Sequence, residues 1–406
     1  MIPATTPSTP NRGPLEGITV LDMTRVLSGP YCTMMLADMG ARVIKIERPG
    51  RGDDTRAWGP PFVNGESAYF LSVNRNKESV TLDFKMPDGR RVLDALIARA
   101  DVLVENFRPG TLARLGLGFD AVHERHPRLV YASVSGFGQT GPRRQEPGYD
   151  AVVQAEGGLM SITGSANGPG YRLGVAIADI TAGMFAAYGV AVAVLAREGT
   201  GRGQLVDVGL FDSVAALLTY QAGIYFATGA VPQRLGNRHP TIAPYETFAA
   251  ADGEFVLAVG NDAQWLKFCA VAGLSDLAAD PRFATNRSRV TAYDELRPLL
   301  ERALRTRPRH AWIKELTAVG VPCGAVRDLD QVLSDPQLAA RDMVVELEHP
   351  VAGAIRVLGV PVKLSGSAGA VHTPPPSLGQ HTDHVLQDLL GLDEGARIRL
   401  REAGAT

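Results

Sequence analysis

Three cysteines in 406 residues, Cys32, Cys269 and Cys323, are too few and too far apart for a disulfide framework. With an odd count and no C-x-x-C pair, they suit a reducing compartment where each thiol is a small core side chain. A dominant charge is missing as well. The formal balance is −2, which gives no overall field to draw nucleic acid or a membrane surface. The first residues, MIPATTPSTPNRGP, lack an apolar h-region and read as a disordered lead-in, 1–14, instead of a secretory signal. The longest uncharged run, 180–196, falls short of the roughly 20 apolar residues that a span needs. It also carries Gly183 and Gly189, and reads as a buried helix. There is no G-x-S-x-G elbow, no Walker A loop and no internal repeat. A cytoplasmic protein with no nucleic-acid or membrane partner is expected.

What is present is an ordinary globular composition, 45% hydrophobic and 21% charged, able to bury a large core. The length exceeds one typical domain. GITVLDM (17–23), RVIKIE (42–47), DVLVENF (101–107) and RLVYASVSGF (128–137) read as strands. YCTMMLADMGA (31–41) and RRVLDALIARA (90–100) read as helices between them. That alternation predicts an α/β fold with a parallel sheet covered by helices on both faces. A long apolar helix comes after Asp179, and LVDVGLFDSVAALLTYQ (205–221) adds a strand and a helix. The pattern breaks at 229–244, after which YETFAAADGEFVLAVG (245–260) predicts a hairpin turning at Asp252-Gly253. The domain plan is therefore 15–228 in a large domain, 229–330 in a small α+β middle domain, and 331–406 returning to the large one.

Several chemical motifs fail on context. GLGFDA (116–121) fits G-x-G-x-x-A, but a helical PGTLARL precedes it where a dinucleotide site needs a strand. His123/His126 and His381/His384 are spaced H-x-x-H, without the further ligands a zinc site requires. Asp179, in GVAIADITAGMF, is a lone acid among apolar residues at the start of the long helix. Such an acid suits capping of free helix N–H groups. It equally suits a desolvated carboxylate held by backbone donors, anionic near pH 7 from an ordinary pKa of ~3.9, that attacks acyl carbon. Spacing alone leaves both open.

Six ordered blocks carry a resemblance that spans nearly the whole chain: PLEGITVLDMTRVLSGPYCTMMLADMGARVIKIERPGRGDDTR, NRNKESVTLDFK, DVLVENFRPG, GYDAVVQAEGG, ADITAGMFAAYG and GNRHPTIAPYETF. Together they resemble the class III coenzyme A transferases of the CaiB/BaiF type. This superfamily includes formyl-CoA transferase, carnitine CoA-transferase and the α-methylacyl-CoA racemases. The resemblance implies a large Rossmann-like domain built from both chain ends, a small middle domain and an interlocked-ring homodimer. It implies Asp179 as nucleophile, acylated to a mixed anhydride and then converted to an aspartyl-CoA thioester. Acyl-CoA and small carboxylic acids are the implied substrates, with succinyl-CoA or another dicarboxyl-CoA as donor and no permanently bound cofactor. Arg48 and Arg114 match residues that hold CoA phosphates. Leu82 and Lys85 match positions beside the adenosine, and Asn106 and Phe107 flank the adenine. Tyr149 and Asp150 fall among the active-site polar residues. Arg238 and His239 are expected to reach a neighbouring subunit's substrate.

Departures narrow the activity. Leu27 stands where formyl-CoA transferase has a glutamine, and GNRHP replaces its glycine run. Pro147 replaces a CoA-contacting lysine, with Arg143 and Arg144 close enough to substitute. Racemases of this fold carry G-H-D where this chain has Gly148-Tyr149-Asp150. A tyrosine with an ordinary pKa of ~10 is a poor base at neutral pH, which favours transfer over racemisation. A racemase and a silent CoA-binding protein are the rival readings. Exchange of label from deuterated buffer distinguishes the first, and hydroxylamine trapping the second.

Overall fold

The structure, a computed structural model, describes residues 13–406. Apart from Gly13 and Pro14, the expected lead-in lies outside the described residues. Gly13 packs so closely that a Cβ there would sit 2.2 Å from the Met39 carbonyl oxygen. The chain divides into two compact units. The larger holds the chain up to Gly158, then Leu173–Thr219 and Pro336–Thr406; the smaller holds Leu159–Arg172 and Tyr220–Asp335.

A six-stranded sheet organises the larger unit. Its strands are β1 (Thr19–Asp22), β2 (Arg42–Glu47), β3 (Lys77–Thr81), β4 (Val102–Glu105), β5 (Val130–Ser135) and β6 (Leu205–Gly209), in the order β3-β2-β1-β4-β5-β6. Every pairing is parallel. β4 and β5 are buried along their whole length, as strands covered on both faces must be. The chain winds outward from β1 to β3, then restarts at β4 on the other side of β1. That reversal opens a crevice at the carboxyl ends of β1 and β4, the place where such sheets take ligands. β3 was not foreseen. Its sequence, KESVT, is mostly polar, yet Lys77 and Ser79 are buried.

Four helices of this unit carry or flank the candidate nucleophile: α1 (Ser28–Asp38), α2 (Ala68–Val73), α3 (Asp150–Glu156) and α4 (Ile177–Thr200). α4 is long and apolar enough to cross a membrane by length and composition, but it packs on α1, β5 and β6. Glycine permits that approach. A Cβ at Gly183 would lie 2.6 Å from the Ser28 carbonyl oxygen, and one at Gly189 2.6 Å from Val206 Cγ1. The chain end returns to this unit, where the Thr382 hydroxyl accepts the Thr81 N–H at 3.0 Å and Val385 and Leu386 join the core.

In the smaller unit β7 (Tyr245–Ala250) and β8 (Gly253–Ala258) form the expected antiparallel hairpin, and β9 (Cys323–Ala325) adds to β8. Its core includes Phe248, Phe255, Trp265, Phe268 and Trp312. In the larger unit, GLGFDA has no strand before it: a helix at Thr111–Arg114 precedes it and another begins at Phe119.

Candidate active site

Asp179 sits in the first turn of α4, whose N-cap, Ala176, offers no side-chain cap. The capping role that the sequence left open belongs to Asp150 instead. Asp150 Oδ1 accepts the Ala178 N–H at 2.9 Å, a non-local cap delivered from the start of α3. Asp150 Oδ2 accepts from Gln154 Nε2 at 2.7 Å, and Gln154 Oε1 accepts the Leu173 N–H at 3.0 Å. The carboxyl of Asp179 is therefore not spent on the helix.

Ala176 and Ile180, on either side of Asp179, pack into an apolar cluster with Leu27, Val73, Tyr31 and Tyr69. Burial there, with the negative charge of Asp150 added, pushes the Asp179 carboxyl up to about 7, and hydrogen bonding to Ser28 only partly opposes this. A carboxyl near 7 is only partly ionised at neutral pH, where an ordinary carboxyl is anionic. The physical reason is that the available backbone donor stabilises Asp150, while Asp179 is left with desolvation and a like charge. No ion pair forms at Asp179 among the described residues. Tyr69, on α2, feels both acids. Burial first, then the charges of Asp179 and Asp150, raise its hydroxyl to about 12, so it keeps its proton as a donor. Sequence reasoning missed Ser28, Tyr69 and Gln154. The Ser-Gly-Pro of TRVLSGP and the glutamine four residues after Asp150 were the signals available. Tyr149 is 74% exposed at the N-terminus of α3.

At the sheet crevice a cavity of about 370 Å³ is lined by Arg48, Leu82, Lys85 and Phe107, four of the six residues expected to bind CoA, along with Arg25 and Arg51. Asn106 holds the loop after β1, since its side chain accepts the Arg25 N–H at 2.9 Å and donates to the Arg25 carbonyl at 2.7 Å. The Arg25 guanidinium lies 5.4 Å from the centre of the Phe107 ring. Arg114 is near Thr111, one of the lining residues, at 3.5 Å, but does not itself line the cavity. Arg25 and Arg51 share Asp54 at 3.2 Å each. Arg48, Lys85 and Arg114 are exposed and make no ion pair among the described residues, so their charge is available to a polyanion. Arg143 is not available in that way. It pairs with Glu146 at 2.6 Å and Glu156 at 2.5 Å and lies 4.0 Å from the Phe137 ring centre, which removes it as a stand-in for the missing lysine.

Beneath this cavity lies a buried ionic network. Lys77 reaches Asp22 at 3.2 Å and Lys45 reaches Asp53 at 2.9 Å, all four side chains out of solvent. Burial pulls the Asp22 carboxyl up, but Lys77 and Lys45 with the Thr24 and Thr33 hydroxyls bring it down to about 2. Burial lowers Lys77 to about 8 despite Asp22.

Arg238 and His239 belong to the smaller unit. The Arg238 guanidinium lies 4.2 Å from the centre of the Tyr293 ring and 3.6 Å from Asp294. His239 is flanked by the rings of Tyr220 and Tyr245, each 5.3 Å away. Its Nδ1 accepts the Thr241 N–H at 3.2 Å, leaving Nε2 as the hydrogen-bearing nitrogen. Burial lowers its pKa, which keeps the ring neutral.

Comparison with known proteins gives concordant results. The model of CoA-transferase family III matches residues 15–382. Succinyl-CoA:glutarate CoA-transferase of Mus musculus is 43% identical, over 96% of this chain and 90% of that protein. Acetyl-CoA:oxalate CoA-transferase of Acetobacter aceti is 45% identical, over 89% and 92%. The crystal structure of a CAIB/BAIF family protein from Brucella suis superposes with a TM-score of 0.83 at 40% identity, covering 93% of this chain and all of that one.

Proposed function

The chain belongs to CoA-transferase family III, and we propose that it moves coenzyme A from a dicarboxyl-CoA such as succinyl-CoA to another small dicarboxylic acid through Asp179. The observation that carries the mechanism is the state of that side chain: largely desolvated, uncommitted to its helix and near enough to Tyr69 to raise that hydroxyl. The dicarboxylate assignment rests on relatives such as succinyl-CoA:glutarate CoA-transferase.

In the proposed sequence the ionised carboxylate of Asp179 attacks the thioester carbonyl. The C–S bond breaks, leaving an acyl-aspartyl anhydride and CoA thiolate. The thiolate attacks the aspartyl carbonyl, releasing the donor acid and forming an aspartyl-CoA thioester. The acceptor carboxylate then attacks that thioester, thiolate leaves, and thiolate attack on the acceptor's acyl carbon yields the new acyl-CoA and restores Asp179. No net proton is consumed. A desolvated carboxylate is a stronger nucleophile than a hydrated one, and the anhydride keeps the thioester's activation where an ester would lose it. The protonated Tyr69 is a donor for a tetrahedral oxyanion. Arg48, Lys85 and Arg114 would hold the CoA phosphates, with Leu82, Asn106 and Phe107 about the adenosine.

A second copy of this chain is part of the proposal. α4 exposes Met184, Phe185, Tyr188, Val192 and Leu195, an apolar stripe larger than single surface residues explain. An interlocked homodimer would bury it and would let Arg238 and His239 bind the distal carboxylate of a neighbour's substrate, the arginine by charge and the neutral histidine by one hydrogen bond. A reducing, cytoplasmic setting is proposed on the free thiols of Cys32, Cys269 and Cys323. The test is a panel of acyl-CoA donors against mono- and dicarboxylic acids, read by mass spectrometry of new thioesters. Asp179→Ala must abolish exchange while CoA still binds; turnover in that variant refutes the mechanism. Equal loss of mono- and dicarboxylate acceptors in Arg238→Ala refutes the role of the arginine.

A further inference from the structure

Gln154 is fully buried, and both ends of its amide are engaged. Its orientation is set by its partners. The Leu173 N–H can only donate, so Oε1 must face it and Nε2 must face Asp150. Asp150 is then an acceptor at both oxygens, from Gln154 on one and from the Ala178 N–H on the other. Both oxygens of Asp150 are thereby fixed in place. The two backbone N–H groups fixed by this pair, Leu173 and Ala178, bracket the segment that leads directly into Asp179. Much of that segment is exposed: Leu173 is 40% and Val175 56% accessible.

We propose that Gln154 is a positioning residue for the nucleophile: its buried amide holds the Asp150 carboxylate on the Ala178 N–H, which frames the segment carrying Asp179 and leaves the Asp179 carboxyl free to react. This rests on the reaction assigned above. The titratable groups that face Asp179 are Asp150 from α3 and Tyr69 from α2, with the Ser28 hydroxyl from α1. Asp150 is the like charge that raises the Asp179 carboxyl, so fixing where Asp150 sits is how Gln154 acts at a distance. A polar pair that is half removed is also worse than none, because Leu173 and Asp150 both lose a partner.

Gln154→Met keeps the length and apolar bulk but makes neither hydrogen bond. The expected result is a fall in kcat of about 10- to 100-fold, the range that misplacement of a reacting group produces. KM for acyl-CoA should stay within about 3-fold, because the groups assigned to CoA are elsewhere, and the acid limb of kcat/KM should move to lower pH as the Asp150 charge drifts away. Gln154→Glu supplies the second arm. It can accept from Leu173, but it can donate to Asp150 only when protonated. Its rate relative to Gln154→Met, each corrected for its own acid limb, should therefore climb as pH falls. Wild-type kcat and an unmoved acid limb in Gln154→Met would overturn the proposal, as would a pH-independent ratio of the two variants. If Gln154→Met does not fold, Gln154→Glu against wild type carries the same pH test. Turnover in Asp179→Ala sinks the reaction assignment itself. An inactive Asp179→Ala beside a fully active Gln154→Met sinks only the positioning role.

Discussion

Replacing Asp179 by asparagine should make the protein more stable at pH 8 while it destroys activity. The magnitude comes from the carboxyl's displacement, from an ordinary 3.8 to about 7. A raised carboxyl pKa means that the folded protein keeps a proton the unfolded chain has already lost. Stability conferred by that proton is complete below about pH 4, declines as pH rises toward 7, and is gone above 7, where the folded state must carry a buried carboxylate. A displacement of about 3 on the pH scale, at 1.36 kcal/mol each, is on the order of 4 kcal/mol. Partial exposure of the side chain reduces this to about 2–4 kcal/mol. Asparagine has nearly the same shape and nothing to ionise, so it should escape the cost. Urea denaturation of wild type and Asp179→Asn at pH 5, 6, 7 and 8 reads the difference directly. The variant's advantage should grow steadily to pH 7 and then level off. A flat difference from pH 5 to 8 would show that Asp179 titrates normally in the folded protein, and the account of a desolvated nucleophile would fail. Wild-type kcat/KM should show the kinetic counterpart, an acid limb near pH 7, because only the ionised form attacks.

Other consequences are checked separately. Gly183→Ala puts a Cβ 2.6 Å from the Ser28 carbonyl oxygen. The overlap should cost about 1–3 kcal/mol in denaturant titration despite alanine's better helix propensity, with a loss of kcat because Ser28 contacts Asp179. Lys45→Met strands Asp53 in a buried site; removing one partner of such a pair should cost about 3–5 kcal/mol, seen as a lower Tm. Lys85→Ala and Arg48→Ala should each raise KM for acyl-CoA about 10-fold, or about 1.4 kcal/mol, with kcat kept. Raising the salt should narrow that gap, since these groups are exposed.

The parallel sheet was legible because β1, β2, β4 and β5 read as apolar runs punctuated by helices. β3 was not, for a physical reason: its buried Lys77 and Ser79 are satisfied by Asp22, Asn74 and Glu47, partners distant in sequence or hidden by their own polarity. Periodicity measures hydrophobicity, and a buried polar strand has little. At the site, spacing could not decide between cap and nucleophile for Asp179. That question turned on which of two acids takes the Ala178 N–H, and Asp150 lies 28 residues upstream of Ala178. The cluster of Arg48, Leu82, Lys85 and Phe107 about one cavity likewise depends on the order in which the strands line up. The resemblance supplied the names of those positions without the geometry.

The larger unit treats its buried acids in opposite ways. Asp22 is as desolvated as a side chain can be, yet Lys77 and Lys45 draw its pKa down to about 2, which makes it a fixed charge with no readiness to react. Asp179 meets no cation; desolvation and Asp150 raise it to about 7. Glu105, at the end of β4, is raised to about 7 as well, so a displaced pKa does not by itself mark a nucleophile. What separates the two is commitment. Glu105 already bonds to the Ser133 hydroxyl and, at 2.8 Å, to the Phe107 N–H, and it sits on a rigid strand. Asp179 has surrendered its helix-capping bond to Asp150 and begins a helix at the edge of an apolar cluster. A carboxylate that is costly to ionise and has few bonds to give up gains most from becoming an anhydride or a thioester, because acylation removes the buried charge altogether. On that reasoning the same desolvation that destabilises the resting enzyme above pH 7 would lower the barrier to the proposed first covalent step.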